Sequence, residues 1–483
     1  MTARSLALLV WLFAGNVGCA GRSCSSAAAR EDARTPAYAS VIIPNVPHVL
    51  QKPDFCGEAV TESWLRALGY TVTQDQVFEL SGMDPERGMG ATTRELYVAL
   101  QRLGFQTGPV FGHVAAKTRS ALDAQFDALH RDLMQGIPSI VCTHFDERPD
   151  TTEHFRLVLG YDAKLDQVIY HEPAYADAGY QRMPRERFLA LWPLKYSDDE
   201  WTVIRLRLAG KPTFVPPPVS GLAAADFAQH VMKLQKGRAG AFRIVTEPPF
   251  VVIGDEDLPR VRAVAAGTVR WAVRQLRKDF FARDPNRILD IWLFKNEASY
   301  NANAQRLFGE APTTPFGYYS SRADALVMNI ATGGGTLVHE IVHPYIEANF
   351  PRCPAWFNEG LGSLFEQSTE RDGHIVGLTN WRLKGLQQRI RRGALPKFES
   401  LLSSTDAQFY TEDEGSNYGQ ARYLLYYLQE QGLLREFYQE FSRNRAGDPT
   451  GKNTLMRMLA VANLGEFQRR WEAWVLTLRF VPS

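Results

Sequence analysis

Residues 336–361 read TLVHEIVHPYIEANFPRCPAWFNEGL, and this stretch decides how the second half of the chain is built. Inside it, His339-Glu340-Ile341-Val342-His343 is an H-E-x-x-H pattern. On a helix, positions i and i+4 share a face, so both imidazoles can point at one ion. Thr336-Leu337-Val338 before the pattern and Ile341-Val342 within it give that helix an apolar stripe to bury. Glu340 stands beside the imidazoles, placed to take a proton from a water. Zinc acidifies water toward a pKa of about 7. A catalytic zinc takes three protein ligands and keeps one position open, so a third ligand must come from elsewhere. A buried histidine pair with no metal is the other reading of this helix, and it leaves Glu340 and the downstream Glu359 unexplained.

The downstream run Trp356-Phe357-Asn358-Glu359-Gly360-Leu361 contains Asn-Glu-Gly. The arrangement resembles the gluzincin metallopeptidases, whose second helix supplies a glutamate ligand from a motif of this type. The resemblance covers about residues 240–480. It implies a zincin-like, mostly helical domain. His339, His343 and Glu359 would hold Zn2+, with Glu340 as general base. It also implies that the strand at 326–330 is the sheet edge that pairs with an extended substrate. Tyr418, in Asn417-Tyr418-Gly419, would stabilise the oxyanion. Ser363, one turn past Glu359, falls where some relatives carry an acidic residue behind the ligands. Cys353 reads as a small buried hydrophobe.

A second constellation lies near the other end: Gln51-Lys52-Pro53-Asp54-Phe55-Cys56-Gly57-Glu58-Ala59. A Cys at the start of a helix is expected to have a depressed pKa, because the helix N-terminus favours the thiolate. A Gln just upstream can donate its amide to a developing oxyanion. The base must then be a distant His. His154 opens the strand His-Phe-Arg-Leu-Val-Leu-Gly-Tyr, and the next strand ends in His171-Glu172-Pro173. This order resembles the papain-like peptidases that cleave double-glycine leaders from bacteriocin precursors, over about residues 42–208. The resemblance implies Cys56 as nucleophile, His154 as base, Gln51 as oxyanion donor and Glu172 as the group orienting His154. Glu172 stands where that family has Asp. His171 alternates to the other strand face and reads as a bystander. An inert substrate-binding or partner-binding domain is the competing reading of this half.

The chain has 483 residues, with 54 basic and 53 acidic, so its net charge of +1 gives no push toward nucleic acid or acidic lipid. Apolar residues at 45% exclude a disordered chain, and 5 Cys are too few for a disulfide scaffold. Residues 5–15 form an apolar run too short to span a bilayer, preceded by Arg4, as in a secretory signal. Asn16-Val17-Gly18-Cys19 then resembles a bacterial lipobox, which implies lipidation of Cys19 and a membrane anchor. Cleavage further on, with a soluble exported product, is the alternative. Residues 19–40 read as a tether, and the Pro-rich stretch from Lys211 to Pro218 marks a boundary. The expected organisation is α+β: a signal at 1–18, a papain-like domain at 41–209, a linker and connecting helix at 210–239, and a zincin-like domain at 240–483. The expected activity is peptidase action on a peptide or protein substrate outside the cytoplasm. A non-enzymatic envelope adaptor is the rival from another class.

Overall fold

Apolar side chains gather around two sheets in turn along the chain. The computed structural model describes residues 38–480, apart from 115–118, 196–200, 310, 313, 321 and 412–415. The expected signal, Cys19 and most of the tether lie outside the described residues.

The first sheet is antiparallel throughout. Its strands are β1 (Val41–Ile42), β2 (Phe111–Val114), β3 (Ser139–His144), β4 (Glu153–Asp162), β5 (Gln167–His171), β6 (Gln181–Pro184), β7 (Leu194–Lys195) and β8 (Trp201–Arg207). The spatial order is β2-β8-β3-β4-β5-β6, with β1 added to β4 and β7 to β8. Helices α1 (Cys56–Ala67), α2 (Gln74–Ser81), α3 (Thr93–Leu103), α4 (Arg119–Met134) and α5 (Arg185–Leu191) surround it. Thr73 starts α2 with a capping box, its hydroxyl and backbone both bonded to Gln76. Gly57 lets the first turn of α1 lie against β4, since a Cβ there would meet Leu96 at 2.8 Å and Phe155 at 3.2 Å.

The second sheet is mixed: β9 (Arg243–Glu247), β10 (Phe250–Gly254), β11 (Leu289–Phe294), β12 (Gly317–Ser320) and β13 (Ala325–Asn329), in the order β12-β13-β11-β10-β9. β10, β11 and β13 run parallel, and the outer two are antiparallel to them. This corrects the expectation for 326–330. β13 is an inner strand, buried on both faces, and β12 is the edge. Between β10 and β11 the chain forms α7 (Leu258–Val264) and α8 (Trp271–Asp279), joined by a π turn at Ala265–Arg270.

Helix α6 (Ala224–Lys236) joins the two halves and has two stripes. Phe227, Val231 and Leu234, at i, i+4 and i+7, pack on one face of the second sheet with Val251, Trp292 and α9 (Glu297–Asn303). Ala225 and Ala228, on the adjoining side, pack with Phe55 and Phe78 of the first half. Gln229 Nε2 donates to Pro53 O at 2.8 Å, and Glu86 bridges to Thr246 N (2.9 Å) and Arg262 (2.7 Å).

The other face of the second sheet carries α10 (Gly335–Asn349) and α11 (Ala355–Phe365). Pro344 lies inside α10 and has no N–H, so the Glu340 carbonyl lacks its i+4 donor. A hairpin then interrupts the helical run expected to the C-terminus: β14 (Ser368–Arg371) and β15 (His374–Gly377), with Asp372 and Gly373 both at positive φ in its tight turn. Seven helices complete the described C-terminal region: α12 (Arg382–Arg391), α13 (Phe398–Leu402), α14 (Asp406–Thr411), α15 (Ser416–Glu430), α16 (Leu434–Asn444), α17 (Lys452–Met458) and α18 (Leu464–Thr477). No helix among the described residues is long and apolar enough to cross a membrane.

Trp356 anchors α11 in this helical layer. It is fully buried, stacks on Phe441 at 6.0 Å and donates to Thr450 O at 3.0 Å. Trp356→Ala is expected to lower unfolding free energy by about 3–5 kcal/mol. Denaturant titration of the full chain reads this directly, and a loss under about 1 kcal/mol would contradict the anchoring role.

Candidate active sites

Helices α10 and α11 cross so that His339, His343 and Glu359 face one another. His339 Nε2 lies 3.1 Å from Glu359 Oε2, and His343 Nε2 lies 3.9 Å from Glu359 Oε1. One ligand atom each from His339, Glu340 and His343 falls within a 4.8 Å set. Nitrogen and oxygen donors about 2.1 Å from a tetrahedral zinc sit about 3.4 Å apart, close to the separation of Glu359 from each histidine. Gly362 makes the crossing close: a Cβ there would come 3.1 Å from the His339 ring.

His343 and Glu359 are each hydrogen-bonded from behind. His343 Nδ1 bonds Asn358 Oδ1 at 2.9 Å, which leaves Nε2 for the shared centre. Tyr410 donates its hydroxyl to Glu359 Oε1 at 2.8 Å. His339 Nδ1 faces Glu366 Oε1 at 3.2 Å, and Glu366 is itself held by Arg382 at 2.7 Å and Asn380 at 3.2 Å. Ser363, where some relatives carry an acidic residue, has a hydroxyl buried without a hydrogen-bond partner. Glu366 at i+7 from Glu359 reaches the far ring nitrogen, where a residue at i+4 does not. Burial alone would depress the His339 pKa, but Glu359 and Glu366 outweigh it and lift it to about 10. The two carboxylates are themselves held at about 2, against burial, by His339 and their other partners. Glu359 and Glu366 thus present two carboxylates to one imidazole.

Two clefts meet at this centre. The larger, about 830 Å3, is lined by Trp271, Phe316, Trp381 and Arg382. The smaller, about 570 Å3, is lined by Arg287, Tyr319, Glu347 and Tyr410. His339, Glu340 and Tyr418 line both. Burial, then Glu359, push the Tyr418 phenol well above its ordinary range. Cys353 stays outside this set, its sulfur 3.7 Å from Pro354 O.

The cysteine constellation converges on β4. Phe155 N–H points at Cys56 Sγ at 3.5 Å, placing the thiol beside the residue that follows His154. His154 Nε2 bonds Glu172 Oε1. Arg156, on the same strand face two residues on, holds Glu172 Oε2 at 2.7 Å. Burial would raise the Glu172 pKa, but His154 and Arg156 outweigh it and hold it below the ordinary range. Gln51 N donates to Pro173 O at 2.9 Å, which brings the Gln51 segment onto the Glu172 segment. Its side-chain Oε1 is buried with no partner. The expected thiolate is corrected here: burial pushes the Cys56 thiol up to about 12, against the N–H of Phe155. Cys56, Cys142 and Cys353 are all free thiols.

Sequence reading missed Glu366, Tyr410, Arg156 and the bond from Asn358. The spacings of Glu366 from Glu359 and of Arg156 from His154 carried a signal. Tyr410 comes from a distant helix and carried none.

Residues 43–197 match the model of the Peptidase_C39 like family. No curated protein matches the chain. Among solved structures, the peptidase domain of Streptococcus ComA, a bi-functional ABC transporter involved in a quorum sensing pathway, is similar at 20% identity. That match covers 34% of this chain and 98% of the other, with a TM-score of 0.23. The family match gives the N-terminal region a Peptidase_C39-like domain and supports a peptidase role there.

His171 gives a pH test of the first half. It is fully buried, its ring 5.5 Å from His48, and neither ring nitrogen has a hydrogen-bond partner. Burial, then His48, hold its pKa down to about 4. The unfolded chain, with an ordinary pKa of about 6.5, binds that proton more readily. Stability is therefore full above about pH 6.5 and is lost as pH falls toward about 4. Denaturation midpoints should fall across that window, and His171→Leu should flatten the fall. An unchanged slope in the variant would contradict this account.

Proposed function

We propose that the chain is an exported bacterial peptidase with a zinc-dependent centre in its second half and a thiol centre in its first. The observation that carries the reading is the convergence of His339, His343 and Glu359 beside Glu340, where two clefts meet. A bound zinc ion would supply Lewis acidity, polarising a peptide carbonyl and acidifying a water. Glu340 takes the proton of the attacking water and returns it to the leaving amine. Tyr418, facing both clefts, donates its hydroxyl to the developing oxyanion. Asn358, Tyr410 and Glu366 hold the donors in place. The substrate is a peptide or protein. The lipobox-like Cys19 supports anchoring to the envelope membrane.

Purified without chelator, the chain is expected to hold about one zinc, and less than about 0.2 per chain would overturn the metal reading. Glu340→Gln should keep that zinc and lose at least about a hundredfold in hydrolysis. Full activity in the variant would remove Glu340 from the role of base.

In the first half, His154 withdraws the Cys56 proton as sulfur attacks the carbonyl carbon. The same proton goes to the leaving amine, and water then releases the acyl group. Glu172 orients His154, and the Gln51 amide faces the oxyanion. A second reading rests on the raised Cys56 pKa: the domain binds peptide without cleaving it. A thiol-directed peptide inhibitor separates the two. Active chemistry predicts that Cys56 labels at pH 7 at least about tenfold faster with His154 than with Ala in its place. Equal rates would favour the binding domain.

A further inference from the structure

Among the described residues of the second half, four aromatic side chains are largely exposed: Phe316 (45%), Tyr319 (44%), Trp381 (59%) and Tyr410 (47%). All four line the clefts that meet at Glu340. Singly scattered apolar side chains need no explanation, but four gathered at one site do. Two of the four follow the edge strand. Phe316 stands just before β12 in the larger cleft, and Tyr319 lies on β12 in the smaller one. A chain extended along β12 would pass an aromatic wall on each side of Glu340.

Trp381 is the most exposed of the four. The Arg382 guanidinium lies 4.2 Å from the centre of its ring. Arg382 is tied to Glu366 at 2.7 Å, and Glu366 faces His339 Nδ1 at 3.2 Å. The ring is therefore positioned relative to the catalytic centre before substrate arrives, which lowers the ordering cost of binding against it. Charge narrows the choice. Arg382 and Arg287 are the only Arg or Lys among the described lining residues of the two clefts. Both are already paired, Arg382 with Glu366 and Arg287 with Glu347 at 3.1 Å and Asp324 at 3.2 Å. An acidic side chain would meet Glu340, Glu347 and Glu366 with no unpaired Arg or Lys to receive it.

We infer that this centre selects extended peptides with a large aromatic or aliphatic side chain beside the cleaved bond, seated against Trp381, and rejects acidic residues there. The inference rests on the hydrolytic reading of His339, Glu340, His343 and Glu359. It is tested with the full chain and a peptide set that varies one flanking residue among Phe, Leu, Ala and Glu. The wild type is expected to prefer Phe or Leu over Glu by at least about tenfold in kcat/KM. Trp381→Ala should collapse that ratio severalfold, and Trp381→Phe should restore most of it, with zinc content equal in all three. Cleavage with no preference, or a preference unmoved by Trp381→Ala, would overturn the inference while leaving the hydrolytic reading intact. Calorimetric binding to Glu340→Gln separates the remaining case. If no peptide is cleaved, the hydrolytic reading falls. Tighter binding of the Phe peptide than the Glu peptide then sustains the selection, and equal binding overturns it.

Discussion

Two carboxylates facing one imidazole organise the second half of the molecule. Glu359 and Glu366 flank His339 from opposite ring nitrogens, Glu359 buried and Glu366 half-buried in the wall of the larger cleft. Unpaired, such charges would cost several kcal/mol each. The surrounding architecture supplies the pairing: Tyr410 from α14, Arg382 from α12, and a close helix crossing opened by Gly362. The same residues that keep the array neutral also fix the directions of its lone pairs.

The first half solves a related problem with fewer parts. Glu172 is shared between His154 and Arg156, and Arg156 spends its remaining donors on Thr143 and on the carbonyls of His144 and Phe145. The histidine is thereby fixed in ring orientation by a carboxylate that is itself fixed. Cys56 Sγ has the Phe155 N–H beside it, and burial pushes its thiol up to about 12. The two centres therefore differ in composition: the second gathers two histidines and several carboxylates, and the first sets one thiol near a histidine held by a carboxylate.

Much of this was legible in the sequence wherever chemistry follows helical or strand period. His339 and His343 at i and i+4, and His154 at the head of an alternating strand, could be placed with no tertiary information. The Asn-Glu-Gly motif pointed to Glu359 through family resemblance. What could not be read depends on which strand lies outermost and on which helices return. The apolar run at 325–330 looked like an edge, yet a more polar strand, Gly317–Ser320, folds back outside it. Ser363 had the expected spacing, but the ring of His339 turns its second nitrogen toward the end of α11. Cys56 stood at a helix start as expected, and packing of the thiol reversed the consequence.

Helix α6 changes where the molecule can be divided. The proline stretch looks like a hinge, but it does not run free: Pro216 O and Pro217 O accept from Gln76, and Tyr70 reaches Pro212 O. The helix beyond it covers Phe55 and Phe78 on one side and the second sheet on the other. A cut at the prolines would strip cover from the residue just before Cys56. The unit that evolution can shuffle intact therefore includes α6 with either half, and a first half that travelled alone would need a new neighbour for Phe55.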